Sequence, residues 1–204
     1  MDSVVIDYGC GNLGSIVRMS QRIGSSCTII DHPDELSRAK KIILAGVGSF
    51  DYGMNALHDG GWVDKLHEAV CERKIPVLGI CLGMQLMCRS SEEGALPGLA
   101  WVDAEVRRFS FGALSTPLKV PHMGWNSISV CRENELIDKI EQEQRFYFVH
   151  SYYVDCRNPE DVIFRCRYGS EFVAGFNKCN IFGVQFHPEK SHKFGMNLFK
   201  RFFN

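Results

Sequence analysis

Short apolar runs and helical patterns alternate along the first half of the chain. Val4-Val5-Ile6 predicts a strand, residues 13–23 a helix, residues 27–30 a second strand and Ile42-Ile43-Leu44 a third. Residues 62–72 predict another helix and residues 76–80 a fourth strand. Continuous Val/Ile/Leu runs separated by helices are what a parallel sheet covered on both faces requires. The expected fold class is α/β, a three-layer α/β/α single domain over residues 1–204 with a mixed, largely parallel central sheet.

The pattern changes after a helix that begins near Leu82. Residues 102–109 alternate as a strand with one exposed face, and strands follow over 127–130, 146–154, 162–167 and 172–176 with few helices between. This half is expected to be mixed or antiparallel. Residues 94–98 and 110–116 read as loops. Residues 191–203, with apolar Phe194, Leu198, Phe199 and Phe202, read as a closing amphipathic helix.

Composition narrows the function classes. A chain of 204 residues suits one well-cored domain. With 45% hydrophobic residues, 23% charged and a net charge of -1, it has no gross preference for nucleic acid or an anionic membrane. No apolar run approaches the roughly 18 residues of a membrane span, and Met1-Asp2-Ser3 carries no basic n-region. A cytoplasmic location is expected. The nine cysteines include no C-x-x-C pair and none at zinc-ligand spacing. Free thiols and no metal are therefore expected.

One cysteine stands apart. Pro76-Val-Leu-Gly-Ile-Cys81-Leu-Gly83 is a buried strand running into a G-x-C-x-G turn and a helix, the nucleophile-elbow pattern with sulfur in place of oxygen. Gly79 and Gly83 are expected to let the backbone turn sharply around a strained Cys81. The helix start behind it favours a thiolate and offers N–H groups to an oxyanion. Such a nucleophile needs a base, and the base an orienting group. Phe182-Gly-Val-Gln-Phe-His187-Pro-Glu189-Lys190 supplies both after an apolar strand. In extended backbone residues two apart point the same way, so Glu189 is expected beside the His187 ring. A competing motif is Gly9-Cys-Gly11-Asn-Leu-Gly14, which follows a strand, opens a helix and precedes Asp31. That is nearly a dinucleotide-binding fingerprint, though it explains none of Cys81, His187 and Glu189.

Four further motifs are Leu78-Gly-Ile-Cys81-Leu-Gly-Met-Gln85, Pro121-His-Met-Gly-Trp125-Asn126, Val149-His-Ser-Tyr152 and Gly183-Val-Gln-Phe-His187-Pro-Glu-Lys-Ser191, in a resemblance that runs from Asp7-Tyr8-Gly9 to the final helix. By them it resembles the class I glutamine amidotransferases, and among them the glutaminase subunits of imidazole glycerol phosphate synthase. The resemblance implies a Cys81-His187-Glu189 triad that releases ammonia from glutamine and needs no cofactor. It implies an oxyanion site at Gly46, Val47, Gly48 and Leu82, and substrate contacts at Gln85, His150, Ser151 and Tyr152. It also implies a barrel-shaped cyclase partner, as a heterodimer, met by Trp125, Tyr147 and Lys190. Where the family's loop usually reads Pro-Gly-Val-Gly, this chain has Ala45, and a freer loop is expected. Residues 49–54 and 102–106 look closer to a paralogous branch that serves surface-polysaccharide amidino-sugar synthesis. That acceptor, an oxidoreductase built on Gly9 to Gly14, and a catalytically silent interaction subunit remain open alternatives; the histidine pathway is preferred.

Overall fold

A computed structural model describes residues 3–111, 118–137 and 143–204. The chain runs β1 (Ser3–Ile6), α1 (Leu13–Arg22), β2 (Cys27–Ile30), β3 (Lys41–Gly46), α2 (Phe50–Asp59), α3 (Trp62–His67), β4 (Val77–Cys81) and α4 (Leu82–Leu86). Then come β5 (Ser90–Ser91), β6 (Ala104–Arg108), β7 (His122–Val130), β8 (Gln144–His150) and β9 (Tyr152–Cys156). The chain closes with β10 (Val162–Tyr168), β11 (Ser170–Lys178), β12 (Ile181–Val184) and α5 (His192–Phe203).

The strands form one sheet in the order β2-β1-β3-β4-β12-β11-β10-β7-β8, with β9 joined to β11 and β6 to β9. From β2 to β12 neighbours are parallel; from β12 to β8 they are antiparallel. The mixed sheet is thus split into a parallel half and an antiparallel half. Alternation along β1 shows how the layers form: Val4 and Ile6 enter the core shared with α2 and α3, whereas Val5 enters the core shared with α1 and α5. Both faces of β1, β3 and β4 are buried, which is why their sequences are mainly apolar, whereas β2 at the sheet edge exposes Thr28 and Ile29.

Three local expectations need correction. The helix expected over 62–72 is α-helical only to His67 and then widens into a π turn over Glu68–Glu72, with Arg73 N–H bonded to Glu68 O at 2.9 Å. The strand expected over 146–154 is two strands divided at Ser151, because β8 pairs with β7 while β9 pairs with β6 and β11. Helix α2 was not anticipated. Its Phe50, Met54 and Leu57 are buried at helical spacing behind a sequence interrupted by Gly53. The loop expected over 110–116 lies mostly outside the described residues, as do Met1 and Asp2.

All nine cysteines are free. Among the described residues no cluster of metal-ligating side chains forms, and no helix is long and apolar enough to cross a membrane. The ends of β3, β4 and β12 lie side by side at the carboxyl edge of the parallel half, where open α/β sheets place their sites.

Candidate active site

Cys81 ends β4 with φ 54° and ψ −110°, in a region that costs a non-glycine residue about 1–3 kcal/mol. The surrounding packing holds it there. A Cβ on Gly79 would stand 2.8 Å from the Met84 backbone, and one on Gly83 would collide with the Leu44 carbonyl. This revises the expected role of the two glycines. Neither adopts a left-handed conformation; the cysteine itself does, and the glycines admit the neighbouring backbone.

His187 follows β12 and is anchored by its N–H to Tyr147 O at 2.9 Å. Ser191 Oγ donates to His187 O at 2.6 Å and accepts from Tyr147 N–H at 3.0 Å. The ring's Nδ1 lies 2.7 Å from Glu189 Oε1, as expected, but the backbone between them is a 3-10 turn over Pro188–Lys190 rather than extended chain. Proline presets the φ of that turn. Burial, the largest single influence on the imidazole, pulls its pKa down, yet Cys81 and Glu189 together outweigh it and raise it to about 10. His187 Nε2 makes no well-aligned hydrogen bond, although Cys81 lies near enough to raise the pKa of the ring.

Gly46 pairs in register with Cys81, and a Cβ there would stand 3.3 Å from the Leu82 side chain. Beyond it Val47 is 47% exposed and Gly48 takes φ 123°. Ala45, in place of the family's proline, is buried within β3 opposite Ile80. Loop freedom therefore begins after Gly46.

A cavity of about 300 Å³ opens over the sulfur, at the small end of ligand pockets. It gathers Val47, Gly48, Cys81, Leu82, Gln85, His150, Ser151 and Tyr152, all anticipated, and adds Glu93, Pro121 and Val149. Gly46 lies beneath the loop, and His187 and Glu189 approach Cys81 from the β12 side without lining the cavity. Glu93 had no sequence signal. Its Oε2 accepts from Phe50 N–H at 2.9 Å, and burial raises its pKa. Gln85 was expected to hold substrate, but its Nε2 is already bonded to Tyr152 O at 3.2 Å and Gln185 Oε1 at 3.0 Å. Only its Oε1 is left for a ligand. Gln185, which sequence reasoning also passed over, points Nε2 at Cys81 Sγ from 3.7 Å.

The three anticipated interface residues form one surface patch. Trp125 is 40% exposed, which excludes a buried sheet-capping role, and meets Tyr147 edge-on with centroids 6.4 Å apart. Lys190 Nζ lies 5.8 Å from the Tyr147 ring, and His192 stacks on Trp125 at 5.5 Å. Tyr147 joins this patch to the His187 backbone. One side of the Gly9 to Gly14 turn packs on β3, where a Cβ on Gly11 would lie 3.4 Å from Gly46 Cα and the buried Tyr8 hydroxyl sits under Gly46, while Gly9, Gly11 and Asn12 are exposed. Its glycines, with φ 86° at Gly9 and 100° at Gly11, fold the turn against β3.

The family model described as glutamine amidotransferase class-I matches residues 4–204. A Pseudomonas aeruginosa protein named imidazole glycerol phosphate synthase subunit HisH 2 is 48% identical over 98% of this chain and 97% of its own length. A Methanococcus maripaludis protein of the same name is 49% identical, covering 97% of this chain and 96% of its own. Leptospira borgpetersenii supplies a subunit HisH that is 42% identical over 97% of both. Among solved structures, PurLQS from Thermotoga maritima superposes with a TM-score of 0.75 at 19% identity, covering 98% of this chain and 96% of that one. The glutaminase domain of Trypanosoma brucei CTPS, with bound acivicin, gives 0.68 at 15% identity, covering 99% and 93%. These last two likenesses concern the fold. By the match over nearly its whole length, the chain belongs to the class I glutamine amidotransferases.

Proposed function

We propose that the chain is the glutaminase subunit of an imidazole glycerol phosphate synthase. It hydrolyses glutamine to glutamate and passes ammonia to a (β/α)8-barrel cyclase partner, in a cytoplasmic heterodimer making imidazole glycerol phosphate and AICAR for histidine biosynthesis. The observation that carries this reading is a strained cysteine at the floor of an amino-acid-sized cavity, beside an imidazole bonded to a carboxylate at 2.7 Å. The relatives' names favour this acceptor over an amidino-sugar partner. Nothing at the Gly9 to Gly14 turn calls for a dinucleotide.

In this mechanism Cys81 Sγ attacks the carboxamide carbon of glutamine, and the carbonyl electrons move onto oxygen. The Leu82 N–H and N–H groups of the Gly46 to Gly48 loop receive that oxyanion, each worth on the order of 3 kcal/mol when aligned. His187 Nε2–H protonates the leaving nitrogen as the C–N bond breaks, giving ammonia and a glutamyl thioester. His187, now neutral, takes a proton from water, whose oxygen attacks the thioester carbon. Collapse releases glutamate and returns the sulfur. Glu189 holds the ring through Nδ1 during both transfers. Glu93 and Gln85 Oε1 present acceptors to the substrate ammonium, and residues 150–152 border its amino-acid end.

Free ammonia is wasted in solution, so the loop is the natural control point. A partner that binds its donor-forward state more tightly shifts the population by that difference in affinity. Trp125, Tyr147 and Lys190 are the proposed contact, one backbone hydrogen bond from His187. The test is glutamine hydrolysis by the chain alone and with its cyclase. Activity is expected to rise with the partner and to vanish in Cys81→Ala while the complex still forms. Wild-type turnover in folded Cys81→Ala would overturn the reading.

A further inference from the structure

The orientation of the side-chain amides and imidazoles beside the nucleophile follows from one backbone carbonyl. Tyr152 O can only accept, and two side chains reach it: Gln85 Nε2 at 3.2 Å and His150 Nδ1 at 2.7 Å. Gln85 therefore presents its NH2 group there. The same nitrogen lies 3.0 Å from Gln185, which must answer with Oε1. That turns Gln185 Nε2 onto Cys81 Sγ at 3.7 Å. A flipped Gln185 would set NH2 against NH2 on one side and a carbonyl oxygen against sulfur on the other. Gln185 is fully buried, so water offers neither end an alternative.

A second branch runs outward by the same logic. His150 donates through Nδ1, so its Nε2 carries a lone pair. His122 Nδ1, 2.9 Å away, must donate to it, and His122 Nε2 then accepts from Asn126 Nδ2 at 3.2 Å. Asn126 is held in that orientation by the Arg167 carbonyl at 3.0 Å and by Ser127 N–H on its Oδ1 at 2.8 Å. A chain of this kind requires neutral rings. Burial supplies them, pulling the His122 pKa down to about 4 and that of His150 to about 3.

We propose that Gln185 is a positioning residue for the nucleophile, its Nε2–H aimed at Cys81 Sγ by a relay running from the Tyr152 carbonyl through Gln85. The inference rests on Cys81 being the nucleophile. A donor aimed at sulfur holds it toward the substrate and strengthens as negative charge builds there. Sγ is also approached by the Val149 carbonyl at 3.9 Å, which cannot donate, and by the His187 imidazole. Asn126, at the outer end of the histidine branch, stands next to exposed Trp125 on β7.

The test compares Gln185→Met, which keeps length and loses the donor, with Gln185→Glu, which places an acceptor against sulfur. Alkylation of Cys81 by iodoacetamide is followed by mass spectrometry, with fully buried Cys88 as an internal sensor of unfolding. With Cys88 protected, Cys81 labelling is expected to slow on the order of tenfold in Gln185→Met and further in Gln185→Glu. In the cyclase complex kcat should fall in the same order with KM changed far less. Wild-type labelling of Cys81 in a folded Gln185→Met would overturn the proposal. If either variant exposes Cys88, the wild-type protein decides: Gln185 side-chain amide NMR signals should move on Cys81→Ala, and unmoved signals would equally overturn it. Slowed labelling in Gln185→Met beside full turnover in Cys81→Ala would keep the relay and remove Cys81 as nucleophile.

Discussion

The turns that end β3 and β4 are neighbours in the sheet, with Gly46 opposite Cys81, yet they are built on opposite terms. The β4 turn is locked: Cys81 is buried, α4 behind it is buried throughout, and Gly79 and Gly83 leave no room between the turn and Leu44 or Met84. The β3 turn is loose, with Val47 half exposed and nothing within 4 Å of a Cβ on Gly48 except a Tyr52 ring carbon at 3.9 Å. In the proposed mechanism this packing holds the nucleophile in place, and the oxyanion donors are left to be set. A glutaminase that should act only beside its acceptor is controlled more cheaply through the second turn than the first.

The largest expected effect lies on the rigid side. His187→Ala removes both proton transfers and should lower turnover in the complex on the order of 10⁴-fold. Glu189→Gln keeps a hydrogen-bonding group at the ring and should cost less; the opposite order in steady-state kinetics would contradict the assigned roles. Next comes a pair that sets the two turns against each other. Gly83→Ala drives a methyl group into the Leu44 carbonyl and should cost about 3 kcal/mol or more in urea unfolding. Gly48→Ala meets only its left-handed φ and should cost about 1–2 kcal/mol, while still reducing partner-stimulated turnover. Equal stability losses would erase the distinction between the turns.

How far this arrangement was legible depends on whether each part is local in sequence. G-x-C-x-G marks the elbow because both glycines are demanded by backbone within a few residues or on the adjacent strand. His187 and Glu189 were legible as a pair, although proline builds a turn between them where an extended strand was expected. Glu93 and Gln185 were not legible. Glu93 reaches the cavity only because α2 begins beside it, and Gln185 becomes a donor to sulfur only through Gln85 and Tyr152, residues distant in sequence. The break at Ser151 was hidden for the same reason: the polar pair His150-Ser151 inside a strand-like run does not say that its halves pair with different strands.

The smallest expected effect is on pH. His122 and His150 have folded pKa values of about 4 and about 3, below the ordinary 6.5 of the unfolded chain. The unfolded state therefore binds protons first as pH falls, and stability should decline from about pH 6.5 down to about pH 3–4. His187, raised to about 10, acts oppositely: its contribution is complete below about pH 6.5 and is lost as pH rises through about 10. Urea midpoints across pH for wild type and His122→Phe check the acid limb. An unaltered acid slope in the variant would remove His122 from it.

The central claim is that Cys81 is always poised while the oxyanion loop waits for the partner. The direct measurement is rapid quenching of chain and glutamine, with and without the cyclase, followed by mass spectrometry of the peptide carrying Cys81. A glutamyl thioester is expected on Cys81, forming much faster in the complex than in the isolated chain. Rapid glutamine turnover in the complex with the covalent adduct on another residue, or equally fast thioester formation in the isolated chain, would contradict it.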